Sequence, residues 1–178
     1  MTPQPHPRTF RGQTEKTRFE RALQAFAQTK LGGRLFITVF PAIDRRLMPL
    51  TRGRLRTGLG QPMILLHCHG AKSGQPRTTP LLYTPHGEAL VLVASKAGAE
   101  RHPAWYHNVI AHPHVEVDLD GRRCAMRARE AQGAEREELW RLVNDNYSGY
   151  EAYQHRAAGR RIPVILLEPR QEATAPPG

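Results

Sequence analysis

The 178-residue chain is long enough for one domain with a sizeable core and too short for two comfortable ones. Its two cysteines, Cys68 and Cys124, form no CxxC pair and follow no secretory leader, which speaks against a disulfide scaffold and for a reducing, cytoplasmic setting. The formal charge of +10 is unevenly placed: residues 1–60 hold twelve Lys/Arg against Glu15, Glu20 and Asp44, a net of +9. Nucleic-acid binding is disfavoured, because no stacking aromatics or reading motif accompany the arginines.

Residues 1–13 are proline-rich and basic and read as a disordered leader, and 170–178 as a flexible tail. Residues 14–60 form a basic, amphipathic, helical segment. It begins with a helix over 14–30, carrying Phe19, Leu23 and Phe26 on one stripe. In 34–47, Leu35, Phe36, Val39, Phe40, Ile43 and Leu47 recur at helical spacing across a kink at Pro41. The apolar run 35–43 is far shorter than the roughly 20 residues that span a bilayer. Two fates are open for this face: an anionic membrane surface, at the inner face of the cell membrane, or the domain core.

From residue 61 the texture changes. Short β-type runs occupy 63–69, 78–85, 89–95, 115–120, 123–130 and 162–169, broken by turn signals, with Asp120-Gly121 as a hairpin turn. Helices are expected over 102–113, bounded by prolines, and over 134–147. Five or six strands joined mostly by hairpins predict an α+β, mainly β fold: a small antiparallel barrel over 61–169 with helical additions.

Two stretches invite sharper readings and lose them. In a strand, His67 and His69 of "HCH" face one way and Cys68 the other, so the three cannot share a metal, and no metal site is expected. "GAKSG" lacks the spacing of a nucleotide-binding P-loop, and Pro76 and Pro80 preclude the helix that must follow. Ser73-Gly74-Gln75-Pro76 is instead a turn that can hold an anion through backbone N–H groups, Lys72 and Arg77. Lysine is scarce here, four against 22 arginines, yet Lys72 and Lys96 both lie in motif-like stretches.

The motifs "GAKSGQPRTTPLLY", "VASKAGAERHPAWYHNV", "YSGYEAYQ" and "RRIPVILLEP", in this order, resemble the deazaflavin-dependent nitroreductase family over residues 62–169. The resemblance implies a split β-barrel (the FMN-binding split-barrel type) and coenzyme F420, an 8-hydroxy-5-deazaflavin, as cofactor. Lys72, Ser73, Arg77, Thr78, Thr79, Pro80, Leu81 and Leu82 would then hold its phosphate and ring edge. Ala94, Ser95 and Lys96 would meet its tail, whose phosphodiester and glutamates suit Lys72, Arg77, Lys96 and Arg101. Trp105, Tyr106 and Asn108 would close over it and Tyr150 would also contact it, with Trp105 also meeting substrate.

Tyr147, Tyr150 and Tyr153 match the substrate-side tyrosines of that family, and a spacing of three puts them on one helix face. The same stripe is also what a packed core would show. The resemblance implies hydride transfer from reduced F420 to a quinone such as menaquinone, or adventitiously to a nitroaromatic, with Tyr150 acting on the acceptor. The alternatives are an F420 carrier or sensor without catalysis, or an FMN or haem protein of the same barrel type. Neither the oligomeric state nor the role of "HCH" follows from the sequence.

Overall fold

The computed structural model describes residues 62–119 and 121–170. The expected leader, the amphipathic helices of 14–60 and the tail from 171 onward lie outside them. β1 (Met63–His69) and β2 (Pro76–Leu82) form a hairpin in continuous register from Met63–Leu82 to His69–Pro76. β3 (Thr84–His86) and β4 (Ala89–Val93) form a second, and β5 (His114–Leu119) and β6 (Arg122–Glu130) a third. Gly121, at φ +79°, supplies the positive φ that the β5–β6 turn needs. β7 (Val164–Pro169) closes the order β2-β1-β5-β6-β7-β4-β3, every ladder antiparallel.

Among the described residues seven strands form where five or six are expected, because the run 78–85 divides at Tyr83. Its N–H donates to the Pro62 carbonyl (3.3 Å) and its ring is buried, leaving β2 and β3 on either side. The sheet curls until β2 meets β4, although the two are not ladder neighbours. A barrel wall left unbonded along one seam is a split barrel, as expected. Pro76 and Pro80 sit on edge strand β2, where a missing N–H is tolerated and further pairing is discouraged.

Among the described residues three α-helices flank the sheet: α1 (Ala104–Ala111), α2 (Gly133–Asn146) and α3 (Gly149–Arg156). The barrel interior holds Ile64, Leu66, Val115, Val117, Met126, Ile165 and Leu167, with Trp105 and Val109 of α1 packed among them. On the other side of β4 and β7, Val91, Val93, Val164 and Leu166 are covered by Leu139 and Val143 of α2 and by tyrosines. β7 thus buries four successive apolar side chains, alternately inside and outside, each contributing about 1.5–3 kcal/mol. Arg136, also buried on α2, stacks on Trp140 (4.8 Å) and donates to the Ile162 carbonyl (3.3 Å).

Candidate functional site

The β1–β2 turn is tight because its glycines allow it. Gly70 N–H donates to the Gln75 carbonyl (2.9 Å), Gly74 N–H to the Gly70 carbonyl (2.8 Å), and Gly74 sits at φ +64°. Lys72, Ser73 and Arg77 are all exposed here. Asn108 of α1 latches the turn, its Oδ1 accepting the Ala71 N–H at 2.9 Å. Its amide nitrogen reaches Cys68 Sγ (3.8 Å), where burial pushes the thiol pKa up against the opposing effects of Asn108 and Arg77.

Strand alternation divides the run 77–82. Arg77 and Thr79 stand opposite Cys68 and Leu66, and Leu81 packs on the interior core. Thr78 instead turns outward to His67 Nδ1 (3.0 Å), and Leu82 packs with the buried Met63 and Leu65 in a separate cluster on the outer face. Pro80 shares that outer face by register with Leu65. One ligand can therefore meet the side chains of Arg77, Thr79 and Leu81, but only the backbone of Thr78, Pro80 and Leu82. The outward His67 also meets Asp118 Oδ2 (2.9 Å), which Arg123 holds from the other side. Among the described residues no three potential metal ligands cluster.

The loop after β4 has a different geometry. Ser95 is right-handed (φ −71°, ψ −42°), whereas Lys96 (φ +48°) and Ala97 (φ +50°) are left-handed. A right-handed then left-handed pair turns successive N–H groups to one side, the arrangement known as an anion-binding nest. Among the described residues, no carbonyl accepts the N–H groups of Ser95, Lys96 or Ala97. Gly98 (φ +78°) brings the loop against α3, where a Cβ would lie 2.6 Å from the Tyr153 carbonyl oxygen.

α1 buries Trp105 (6% exposed) in the barrel core, so its ring lines the interior. The Tyr106 hydroxyl donates to Glu130 Oε2 (2.8 Å); burial first, and Glu130 second, push its pKa up to about 12. Its ring stacks on His102 at 4.7 Å. His102 Nδ1 in turn accepts from Arg160 Nη1 (3.0 Å). α1 thus ties the β1–β2 turn, through Asn108, to the Ser95–Ala99 loop, through Tyr106, His102 and Arg160. Sequence reading named Asn108 but not Arg160 or His102. Nothing local marks Arg160, whose partners lie some sixty residues earlier in the chain.

The tyrosines correct one expectation. Tyr147 caps the C-terminus of α2 in extended conformation, and only Tyr150 and Tyr153 are on α3, so the three do not share one helix face. They still meet, with ring centroids 5.0–6.3 Å apart, in the cluster outside β4 and β7. Gly149 makes room, since a Cβ there would run into the Tyr147 ring. The Tyr147 and Tyr153 hydroxyls bond each other (2.9 Å). Tyr150, 7% exposed, has no hydroxyl partner among the described residues, and burial raises its pKa. An orphaned buried hydroxyl costs about 1–3 kcal/mol.

Charges separate similarly. Arg123, Arg129, Arg136 and Arg161 all hold carboxylates. Among the described residues, Lys72, Arg77, Lys96 and Arg101 hold none, and the first three flank the turn and the nest.

A family model described as F420H(2)-dependent quinone reductase matches residues 43–169. The chain belongs to that family. An F420H(2)-dependent quinone reductase of Mycobacterium tuberculosis (strain ATCC 25618 / H37Rv) is 42% identical over 125 residues, which cover 67% of this chain and 83% of the relative. A second protein of that strain bearing the same family name is 34% identical over 119 residues, 66% of this chain and 99% of its own. Among solved structures, an F420-H2 dependent reductase is 40% identical with a TM-score of 0.56, covering 60% of this chain and 94% of its own. Another, described as a domain-swapped dimer, is 35% identical with a TM-score of 0.58, covering 71% and 95%.

Proposed function

We infer that the protein is an oxidoreductase that transfers a hydride from reduced coenzyme F420 to a quinone. Family membership carries the reaction and the cofactor. The fit of this chain rests on an anionic ligand being wanted: uncompensated cations at the turn, a backbone nest at Ser95–Ala97, and an orphaned Tyr150 hydroxyl.

In this proposal Lys72, Ser73 and Arg77 bind the cofactor phosphate, and the N–H groups of the nest with Lys96 bind its charged tail, with Arg101 adding charge. Thr79 and Leu81 border the ring edge by side chain, and Thr78, Pro80 and Leu82 by backbone, while Ala94 and Ser95 meet the tail beside Lys96. Trp105 lines the wall behind, while Tyr106 and Asn108 fix α1 against it. Coenzyme F420, when bound in reduced form, supplies the hydride. The protein then needs no nucleophile of its own; it must orient donor and acceptor and keep water out. Tyr150 hydrogen-bonds the acceptor oxygen or gives the proton that completes reduction, which a phenol with a raised pKa does as a neutral donor. Tyr147 and Tyr153 flank it on the substrate side.

Nitroaromatics are adventitious acceptors in this account. The reading also places the enzyme in the cytoplasm, with the +9 of residues 1–60 attracting it to an anionic bilayer carrying a lipid-soluble quinone. Sedimentation with anionic vesicles, lost at high salt, tests that part; no binding at low salt contradicts it. The experiment for the site is fluorescence titration with oxidised F420 beside FMN. Saturable binding of F420 and weak or no binding of FMN is expected, and the reverse preference refutes the cofactor assignment.

A further inference from the structure

We propose that Arg160 is the positioning residue of the Ser95–Ala97 nest, setting affinity for the charged tail of the cofactor without touching it. This rests on the reading of the nest as part of the F420 site.

The Arg160 guanidinium has no carboxylate partner among the described residues. It grips backbone instead: Nη2 donates to the carbonyls of Ser95 (2.9 Å) and Ala99 (2.7 Å), and Nε to Ala99 (3.0 Å). Nη1 reaches the Ala94 carbonyl (3.4 Å) and His102 Nδ1 (3.0 Å). Since Arg160 donates to Nδ1, His102 is the neutral tautomer protonated at Nε2. Burial, and then Arg160 and His107, push its pKa down and keep it so, against Glu130.

The consequence follows from peptide planarity. In a trans peptide the C=O and N–H point in opposite directions. The Ala94 carbonyl shares its peptide with the Ser95 N–H, and the Ser95 carbonyl shares its peptide with the Lys96 N–H. By drawing both carbonyls to itself, with Gly98 N–H also on the Ser95 carbonyl (3.0 Å), Arg160 turns both N–H groups away from its own side. Lys96 and Ala97 would not hold left-handed backbone unaided, because L-residues with a Cβ avoid it. Arg156 adds one bond, to the Ala97 carbonyl (3.3 Å), and Gly98 seats the loop on α3. Only the planar fork spans Ala94, Ser95, Ala99 and His102 together; a lysine ammonium is a single point charge.

The test is binding, measured with wild type, Arg160→Gln and Arg160→Lys. Each is titrated by fluorescence with oxidised F420 and with the same deazaflavin chromophore lacking the phosphodiester and glutamate tail. For both variants we expect at least a tenfold loss of F420 affinity and less than a twofold change for the tail-less chromophore. Faster amide exchange at Ser95–Ala97 in the ligand-free variants should accompany the loss. Arg160→Lys preserves the charge and stem and so keeps the test available should Arg160→Gln not fold. Equal binding of F420 by wild type and variants overturns the inference alone, and so does an equal loss for both ligands. A wild type that binds neither ligand overturns the cofactor reading and this inference with it.

Discussion

Arg129 and Arg77 are the same residue type put to opposite uses. Arg129 forks onto Glu135 (2.6 Å) and reaches Glu168 (2.8 Å), tying the start of α2 to β6 and β7. Arg77 stands exposed at the end of a glycine turn with no carboxylate among the described residues. Lacking a partner is not enough to mark a binding residue, since Arg122, Arg127 and Arg170 are also without carboxylates among those residues. Position decides: Arg77 and Lys72 border a turn latched to α1, and α1 is linked through Tyr106, His102 and Arg160 to the nest. Cations of the first kind belong to the stability of the fold; in the proposed account those of the second bind the cofactor.

The largest expected effect lies where the nest loop meets α3. Gly98→Ala forces a Cβ toward the Tyr153 carbonyl and the Arg156 side chain at a positive φ. It should destabilise by on the order of 3 kcal/mol, read from the denaturant midpoint. Next, Arg77→Ala or Lys72→Ala should weaken F420 binding by about 1.5–3 kcal/mol with the unfolding midpoint unchanged. Arg129→Ala should do the reverse, lowering stability by no more than about 1 kcal/mol, because the pair is partly exposed, and sparing affinity. If Arg77→Ala and Arg129→Ala behave alike in both assays, the distinction fails.

Acid titration sharpens the structural side. For Asp118, burial acts to raise the pKa, but hydrogen bonds from Arg123 and His67 outweigh it and the net direction is down. Its contribution is therefore present above the unfolded value of about 3.9 and is lost as pH falls through the lower folded value. Stability curves of wild type and Asp118→Asn should converge in that acid window and separate above it. Smallest of all, Tyr150→Phe removes a hydroxyl without a partner, so stability should hold or rise slightly while turnover drops.

Much of the barrel was readable because its signals are local. Alternation gave β5, the Asp-Gly pair gave its hairpin, and a glycine-rich turn flanked by Lys72 and Arg77 stood out in an arginine-biased chain. The tyrosine spacing was real, but the helix it implied breaks at Tyr147, since a chain reversal between α2 and α3 leaves no mark in spacing. Arg160 was invisible. In "GRRIP" it looks no different from Arg161, which merely pairs with Glu137 (2.7 Å). Its role exists only once residues 94–102 are folded against it. A split of 77–82 between two faces likewise needed the register of β1 and β2.

The most direct test of the central claim is rapid mixing of the wild-type protein, loaded with reduced F420, with a water-soluble quinone. The account predicts that the oxidised deazaflavin absorbance returns in step with hydroquinone formation, one to one, and that Tyr150→Phe slows this step without releasing the cofactor. Bound reduced F420 that persists unchanged in excess quinone would contradict it, and would favour a carrier over an enzyme.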